Sequence, residues 1–268
     1  LEIRYALFAA LQITAGYSAD ELSHNTARAR QLTEGSGDGV KLISLATGAW
    51  ASLSSAGDYD AACRIADEVS ALAARDGGPE NLAHGHMVQI TARSRIGDLA
   101  GAEASFLDGR RYFETTGFRR KTGAIAQTYG NAALVAALQG GQGRAVERAE
   151  WALQVASDNA NPYDAAFASH MAASTFLIVR TLDRAQEAAR HSVSLSDEYD
   201  YPQFAAIARI ARGLAVAELE DATVGVALIH QGLEAMTHTG ARAGLTMYLT
   251  WLAEAQNLAR SPGNALAT

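Results

Sequence analysis

The chain repeats a helix–turn–helix pattern about every 40 residues, and this period constrains the fold more than any other feature. Turn-like breaks fall at Gly16, Gly57-Asp58, Gly97-Asp98, Gly140-Gly141-Gln142-Gly143, Leu182-Asp183 and Glu220-Asp221, with Ser261-Pro262 opening the next. A period in this range is the signature of stacked helical repeats. Each unit buries its apolar face only against its neighbours, which gives a quasi-linear solenoid rather than a single-core globule. The expectation is therefore all-α: a right-handed α–α superhelix of about six helix pairs plus one further helix. Solenoids offer long surfaces, and that points to binding rather than to chemistry.

Composition agrees with the period. Hydrophobic residues make up 49% of the chain, with alanine dominant and aromatics only 7%. Alanine-rich, β-branch-poor segments favour helix, and small side chains let helices pack closely. Nothing reads as a strand. The four prolines, Pro79, Pro162, Pro202 and Pro262, all read as helix starts, where the missing N–H has no intrahelical partner to lose. Pro162 and Pro202 lie one period apart and restate the repeat independently.

The helix pairs are expected at Leu1–Thr14 with Ala19–Glu34, Val40–Ala56 with Tyr59–Arg75, and Glu80–Ile96 with Ala100–Thr115. They continue at Thr122–Leu138 with Arg144–Ser157, Tyr163–Arg180 with Arg184–Glu198, and Gln203–Glu218 with Val224–Thr237, before a last helix Arg242–Ala259. Ser18 with Glu21 forms a capping box. Ala62, Ile65, Ala66, Val69 and Leu72 follow the i, i+3, i+4, i+7 rule. Thr116–Lys121 reads as a linker and 35–39 as an inter-repeat loop. The repeats are approximately 1–38, 39–78, 79–117, 118–160, 161–200, 201–240 and an incomplete 241–268, together one solenoid domain. The chain begins at Leu1 already inside an apolar helical pattern and stops within a seventh pair, so it is expected to be a piece of a longer protein.

Several function classes are disfavoured. The net charge is −7 and scattered, whereas a nucleic-acid binder carries clustered Lys and Arg. No apolar run reaches the roughly 18 residues of a membrane span, and no signal peptide is present. The lone Cys63 permits no internal disulfide and suits a reducing compartment, so a cytoplasmic location is expected. The glycines of Gly35 to Lys41 lack phosphate-loop spacing, and Gly141 to Gly143 lack the third glycine of a dinucleotide fingerprint. His84 and His86, at i and i+2, point to different faces of a helix. Asp197, Glu198 and Asp200 have no second carboxylate cluster to face. No catalytic residue, metal or cofactor is expected, and the segment reads as non-enzymatic.

The positive signal lies on the first helix of each pair, which in such arrays usually lines the concave face. Groove candidates there are Trp50, His86, Gln89, Arg93, Gln127, Tyr129, Asn131, His170, Arg209, Arg212 and Tyr248. Aromatic anchors mixed with Arg and amide groups suit recognition of a peptide or a small ligand. A second reading stands beside it: the tryptophans are inter-repeat core, and the arginines snorkel to water.

Gly57-Asp58-Tyr59-Asp60-Ala61-Ala62 and Gly97-Asp98-Leu99-Ala100-Gly101-Ala102 resemble the Gly-Asp-x-x-x-Ala turn of tetratricopeptide repeats, although the period exceeds that family's 34. A closer likeness is to the C-terminal helical arm of large bacterial signalling ATPases. Gly16 to Glu21 is similar to that family's Gly-Tyr-Ser-x-x-Glu. Tyr112, Arg119-Arg120 and Tyr129-Gly130-Asn131 resemble its Tyr…His-Arg…Tyr-Gly-x-Asp stretch, with Arg119 in place of the usual His and Asn131 near its Asp. Gly232-Leu233, Thr239-Gly240-Ala241 and Leu252-Ala253-Glu254-Ala255 resemble its ending. This resemblance implies a parent protein with an upstream ATPase module and an adenylate cyclase or DNA-binding output domain. It further implies a regulatory arm that binds a partner protein, a peptide or its own ATPase module in the concave groove. The alternative is a sensor domain for a small-molecule inducer.

Overall fold

The computed structural model describes residues 20–33, 39–76 and 78–268, with Ile3, Leu7, Ala10 and Leu11. The expected first helix, the Gly16 break with its Ser18 cap and the loop at 35–38 fall outside these residues, apart from those four positions. Every regular element among the described residues is a helix. They are α1 (Asp20–Thr33), α2 (Gly39–Ala56), α3 (Tyr59–Asp76), α4 (Pro79–Arg95), α5 (Leu99–Phe113), α6 (Thr116–Arg119) and α7 (Ala124–Leu138). There follow α8 (Gln142–Asp158), α9 (Pro162–Ile178), α10 (Leu182–Glu198), α11 (Pro202–Leu219), α12 (Ala222–Thr239), α13 (Leu245–Leu258) and α14 (Pro262–Ala267). All four prolines open helices, as expected. The Thr116–Lys121 linker instead contains the single turn α6, anchored by the fully buried Phe118.

Each helix packs on its sequence neighbour, and α2, α4, α7, α9, α11 and α13 also stack on one another as an inner layer. The repeat is visible as hydrogen bonds between residues one period apart. Gln139 Nε2 donates to the Leu99 carbonyl at 3.0 Å, Asn159 Nδ2 to the Arg119 carbonyl at 2.9 Å, and Arg180 to Glu218 at 2.7 Å. The result is an α–α superhelix of tetratricopeptide type.

Most of the turns close in the same way. After α4, Asp98 N donates to the Arg93 carbonyl at 2.9 Å, with Gly97 in the left-handed region (φ 85°), and Asp98 Oδ1 then accepts from Gly101 N to start α5. That is a Schellman stop followed by an N-cap. The same closing bond recurs from Thr181 N to the Phe176 carbonyl, from Tyr201 N to Ser196, and from Ser261 N to Gln256. There the left-handed position is held by Arg180, Asp200 and Arg260, and after α8 by Ala160.

Inner and outer helices differ in burial. In α9, 14 of 17 residues are buried and in α7, 13 of 15, whereas α8 and α10 each bury only 6 of 17. A helix apolar all round belongs in an interior, and one with a single stripe belongs at a surface. Alanine makes this possible, because Ala132, Ala133, Ala168, Ala172, Ala206 and Ala211 leave the inner helices room to approach. The backbones of α11 and α12 approach closely, so that a Cβ on Gly213 would meet the Gly225 carbonyl oxygen at 2.8 Å.

Substitution at the turns should have opposite signs. Gly97 has open space around its Cβ position, so Gly97→Ala isolates the backbone term and should cost about 1–2 kcal/mol. Ala160→Gly relieves the same strain and should gain about 0.5–1 kcal/mol after the entropy of glycine is deducted. Urea denaturation of both variants checks this; equal effects at the two sites would contradict the turn mechanism.

Candidate functional site

Ser55, near the end of α2, brings the two ends of the inner layer together. Its carbonyl accepts from Arg242 N at 2.7 Å and from Ala243 N at 3.0 Å, just before α13, and its hydroxyl accepts from Gln203 Nε2 of α11 at 3.0 Å. Between the inner helices lie two adjoining cavities, of about 90 Å³ and about 240 Å³, which share Trp50, Ala51, Gln127 and Phe167 in their walls. The smaller is completed by Ser54, Ser55, Thr91, Arg95, Asn131, His170, Met171, Gln203, Phe204, Ile207, Ala243 and Tyr248. The larger runs past Met87 and Ala124 to His84, Lys121 and Gly123. Every inner helix contributes.

Of the residues proposed from sequence, the structure brings Trp50, Gln127, Asn131, His170 and Tyr248 together on this lining. Gln127 and Asn131 are four apart and share a face, with Gln127 Nε2 donating to Thr91 Oγ1 at 3.0 Å. Tyr129, between them, faces the opposite way. It stacks on Trp151 at 3.9 Å and packs against Phe106 and Phe113. Gln89 and Arg93 lie elsewhere on α4: Gln89 bonds Asp67 of α3, and Arg93 pairs with Asp98 at 3.0 Å. His86 stacks on Tyr112 of α5, and Arg209 pairs with Asp197 of α10. Arg212 is half-buried on α11 and is not part of either cavity wall.

Sequence reasoning missed Arg95, Ser54, Thr91, Phe167 and Gln203. A signal for part of this set exists: Trp50, Thr91, Asn131 and Met171 sit one period apart at the same register. Ser54 and Arg95 each follow that register by four residues, which is the same helix face. Phe167 precedes it by four.

The lining is mostly apolar, with a few polar groups set into it. Among the described residues no Asp or Glu borders either cavity, while Arg95 and Lys121 do. Lys121 is neutralised by Glu80 at 3.3 Å and also contacts His84 Nε2 at 3.2 Å. Arg95 makes no ion pair among the described residues. Trp50 Nε1, Ser54 Oγ, Arg95 Nε, His84 Nδ1 and His170 Nδ1 are buried without a hydrogen-bond partner among the described residues, and all five belong to residues of the cavity walls. The His170 ring lies between Phe167 and Phe204, 5.0 to 5.1 Å from each. Its Nδ1 is near the Ala166 carbonyl, which favours a proton, without reaching hydrogen-bond geometry. Burial pushes His170 down to about 3, with Arg95 acting in the same direction. Burial, then Lys121, likewise holds His84 near 3. Burial raises Tyr248 to about 12 against the pull of Arg95. Near neutral pH the site therefore holds two neutral imidazoles, a neutral phenol and an uncompensated guanidinium. No group of three His, Cys, Asp or Glu that could hold a metal occurs among the described residues.

Such a set can bind and orient a molecule, and it contains no paired nucleophile and base. The fold and site define a tetratricopeptide-type superhelix with a mostly apolar cavity between its inner helices. No family model matches the chain, and no curated protein matches it in sequence. Among solved structures, it is similar to BtubC from P. vanneervenii, with TM-score 0.58 and 14% identity over 80% of this chain and 89% of that one. It is also similar to the apo form of RapI, with TM-score 0.55 and 12% identity over 99% and 72%. A third similar structure is a signal transduction ATPase with numerous domains, carrying a tetratricopeptide repeat sensor, from Pyrococcus horikoshii. There the TM-score is 0.57 and the identity 10%, over 92% of this chain and 39% of that one. At these identities the shared property is the fold. No described helix is long and apolar enough to cross a membrane.

The buried imidazoles carry a pH signature. His170 and His84 bind fewer protons folded than unfolded between about pH 3 and their ordinary 6.5, so stability rises with pH across that window and falls on acidification. Each should lose about 2 kcal/mol between pH 7 and pH 5. His170→Gln should narrow the pH 7 to pH 5 difference in urea-unfolding stability by about that amount; an unchanged difference would mean the ring is protonated in place.

Proposed function

We propose that this chain is a non-catalytic sensor arm of a larger signalling protein, and that it reads a small molecule held between its inner helices. The observation that carries this is the seam at Ser55. Hydrogen bonds from Arg242, Ala243 and Gln203 draw α2 against α11 and the start of α13. What remains inside is of small-molecule size, near the low end of ligand cavities. The residues that carry the five unpartnered polar atoms line that space, and a buried polar group without a partner is costly unless something bonds it. Between the two occupants expected from sequence, the geometry thus favours the inducer over a folded partner in the groove.

The signalling context rests on the resemblance of Gly16 to Glu21, Tyr112 to Asn131 and Gly232 to Ala255 to the arms of bacterial signalling ATPases. The likeness to a structure described as having a tetratricopeptide repeat sensor supports it. In this reading 1–268 is one repeat domain of a cytoplasmic parent protein. A ligand acts on the parent by its differential affinity for seam-closed and seam-open arrays.

Thermal unfolding tests the proposal. A low-mass metabolite fraction should raise the midpoint by about 5–10 °C when its ligand is near 100 times its Kd. Ala51→Phe, which fills the wall common to both cavities, should abolish the shift. A shift that comes only from the macromolecular fraction, or that survives Ala51→Phe, sinks the proposal.

A further inference from the structure

We infer that the cavity selects a small organic monocarboxylate, whose carboxylate pairs with Arg95 and whose apolar body lies against Trp50 and Phe167. The inference rests on the cavity being the ligand site, and it assigns the ligand's chemistry.

Four observations converge. First, the charge of the walls is opposite to that of the chain: the net charge is −7, yet among the described residues the cavities are bordered by two cations and by no carboxylate. A cleft of one sign with low-dielectric walls concentrates the opposite ion. Second, the two cations differ in compensation. Lys121 is tied to Glu80, whereas Arg95 has no ion-pair partner among the described residues. One guanidinium matches one carboxylate in a bidentate pair; a phosphate dianion would leave charge unbalanced.

Third, the wall around the cation offers donors to an acceptor. Arg95, which can only donate, lines the smaller cavity and makes no hydrogen bond among the described residues, and Trp50, Ser54 and His170 stand in the same wall. Fourth, the two spaces divide the ligand by their linings. The smaller carries Arg95 with Ser54 and His170, where a carboxylate would sit, and the larger takes the apolar body. Its walls, with Trp50, Met87, Ala124 and Phe167, are apolar where such a body would sit.

The test is calorimetry on the whole chain with benzoate, phenylacetate and 3-phenylpropionate, each beside its carboxamide, and with a tetrapeptide ending in phenylalanine. At least one acid should bind with a Kd at or below about 1 mM, and its carboxamide about tenfold or more weakly. Arg95→Gln should erase that preference, bringing the acid's affinity to within about twofold of its carboxamide's. Arg95 is half-buried at the cavity wall, so circular dichroism will establish that the variant folds, and Arg95→Lys should restore part of the preference. Equal binding of acid and carboxamide, lost in Ala51→Phe, overturns the carboxylate assignment and leaves the cavity as a ligand site. Tighter binding of the tetrapeptide than of any free acid overturns the small-molecule source. Binding of neither acid nor carboxamide overturns the assignment. If the low-mass fraction also fails to stabilise the chain, the cavity reading falls with it, and the space is a water-filled seam.

Discussion

The close stacking of alanine-faced inner helices is the constraint from which the other features follow. Because Ala132, Ala168, Ala172, Ala206 and Ala211 project so little from their helices, α7, α9 and α11 approach until their own backbones and neighbours enclose them. Close spacing on the inside, with bulkier residues such as Phe106, Trp151 and Phe176 between inner and outer layers, makes each repeat a wedge. Wedges accumulate into curvature. With enough of it, the end of α2 meets the residues before α13, and Ser55 can bond Arg242 and Ala243. The cavities are the space this curvature leaves over.

Polar side chains confined to such a space have few partners. Between the layers, the buried Arg148 meets Glu103 at 2.6 Å with its guanidinium over Phe106, and on the outer surface Arg180 bridges Glu218 and Glu254 across successive repeats. Inside, Arg95 has no such counterpart among the described residues. The contrast matters energetically, because exposed pairs contribute little, whereas a charge held among neutral aromatic and imidazole groups interacts strongly with whatever enters. The outer pairs hold register between repeats; the inner cation is free to recognise a ligand.

Most of the fold was legible in the sequence, because the period, the Gly-Asp turns and the four prolines each report local backbone geometry. The left-handed residues Arg180, Asp200 and Arg260 were harder to see than the breaks beside them. Their backbone is imposed by the closing bond onto the preceding helix rather than by glycine. The short helix α6 was hidden for a different reason, since Phe118 is fixed in part by His84, which is remote in sequence. Within the site, the residue types expected on the inner helices were found there, but adjacent alternatives sorted by phase. Arg95 reaches the cavity and Arg93 does not; Gln127 and Asn131 do and Tyr129 does not. Two residues along a helix is a rotation of roughly 200°, so an error of two positions exchanges the inside for the outside. Curvature, which decides the inside, is a property of many small packing distances and has no motif.

The Ser55 seam also alters what kind of polymer this array is. An open solenoid unfolds by fraying from either end, each repeat answering only to its neighbours. Joining residue 55 to residues 203, 242 and 243 gives the terminal repeats a second neighbour, so the chain of couplings becomes a loop. In a loop no repeat between the joined segments is an end, and the loss of one interface is felt from both sides. The molecule thereby gains a long-range cooperativity that its nearest-neighbour architecture would otherwise deny it.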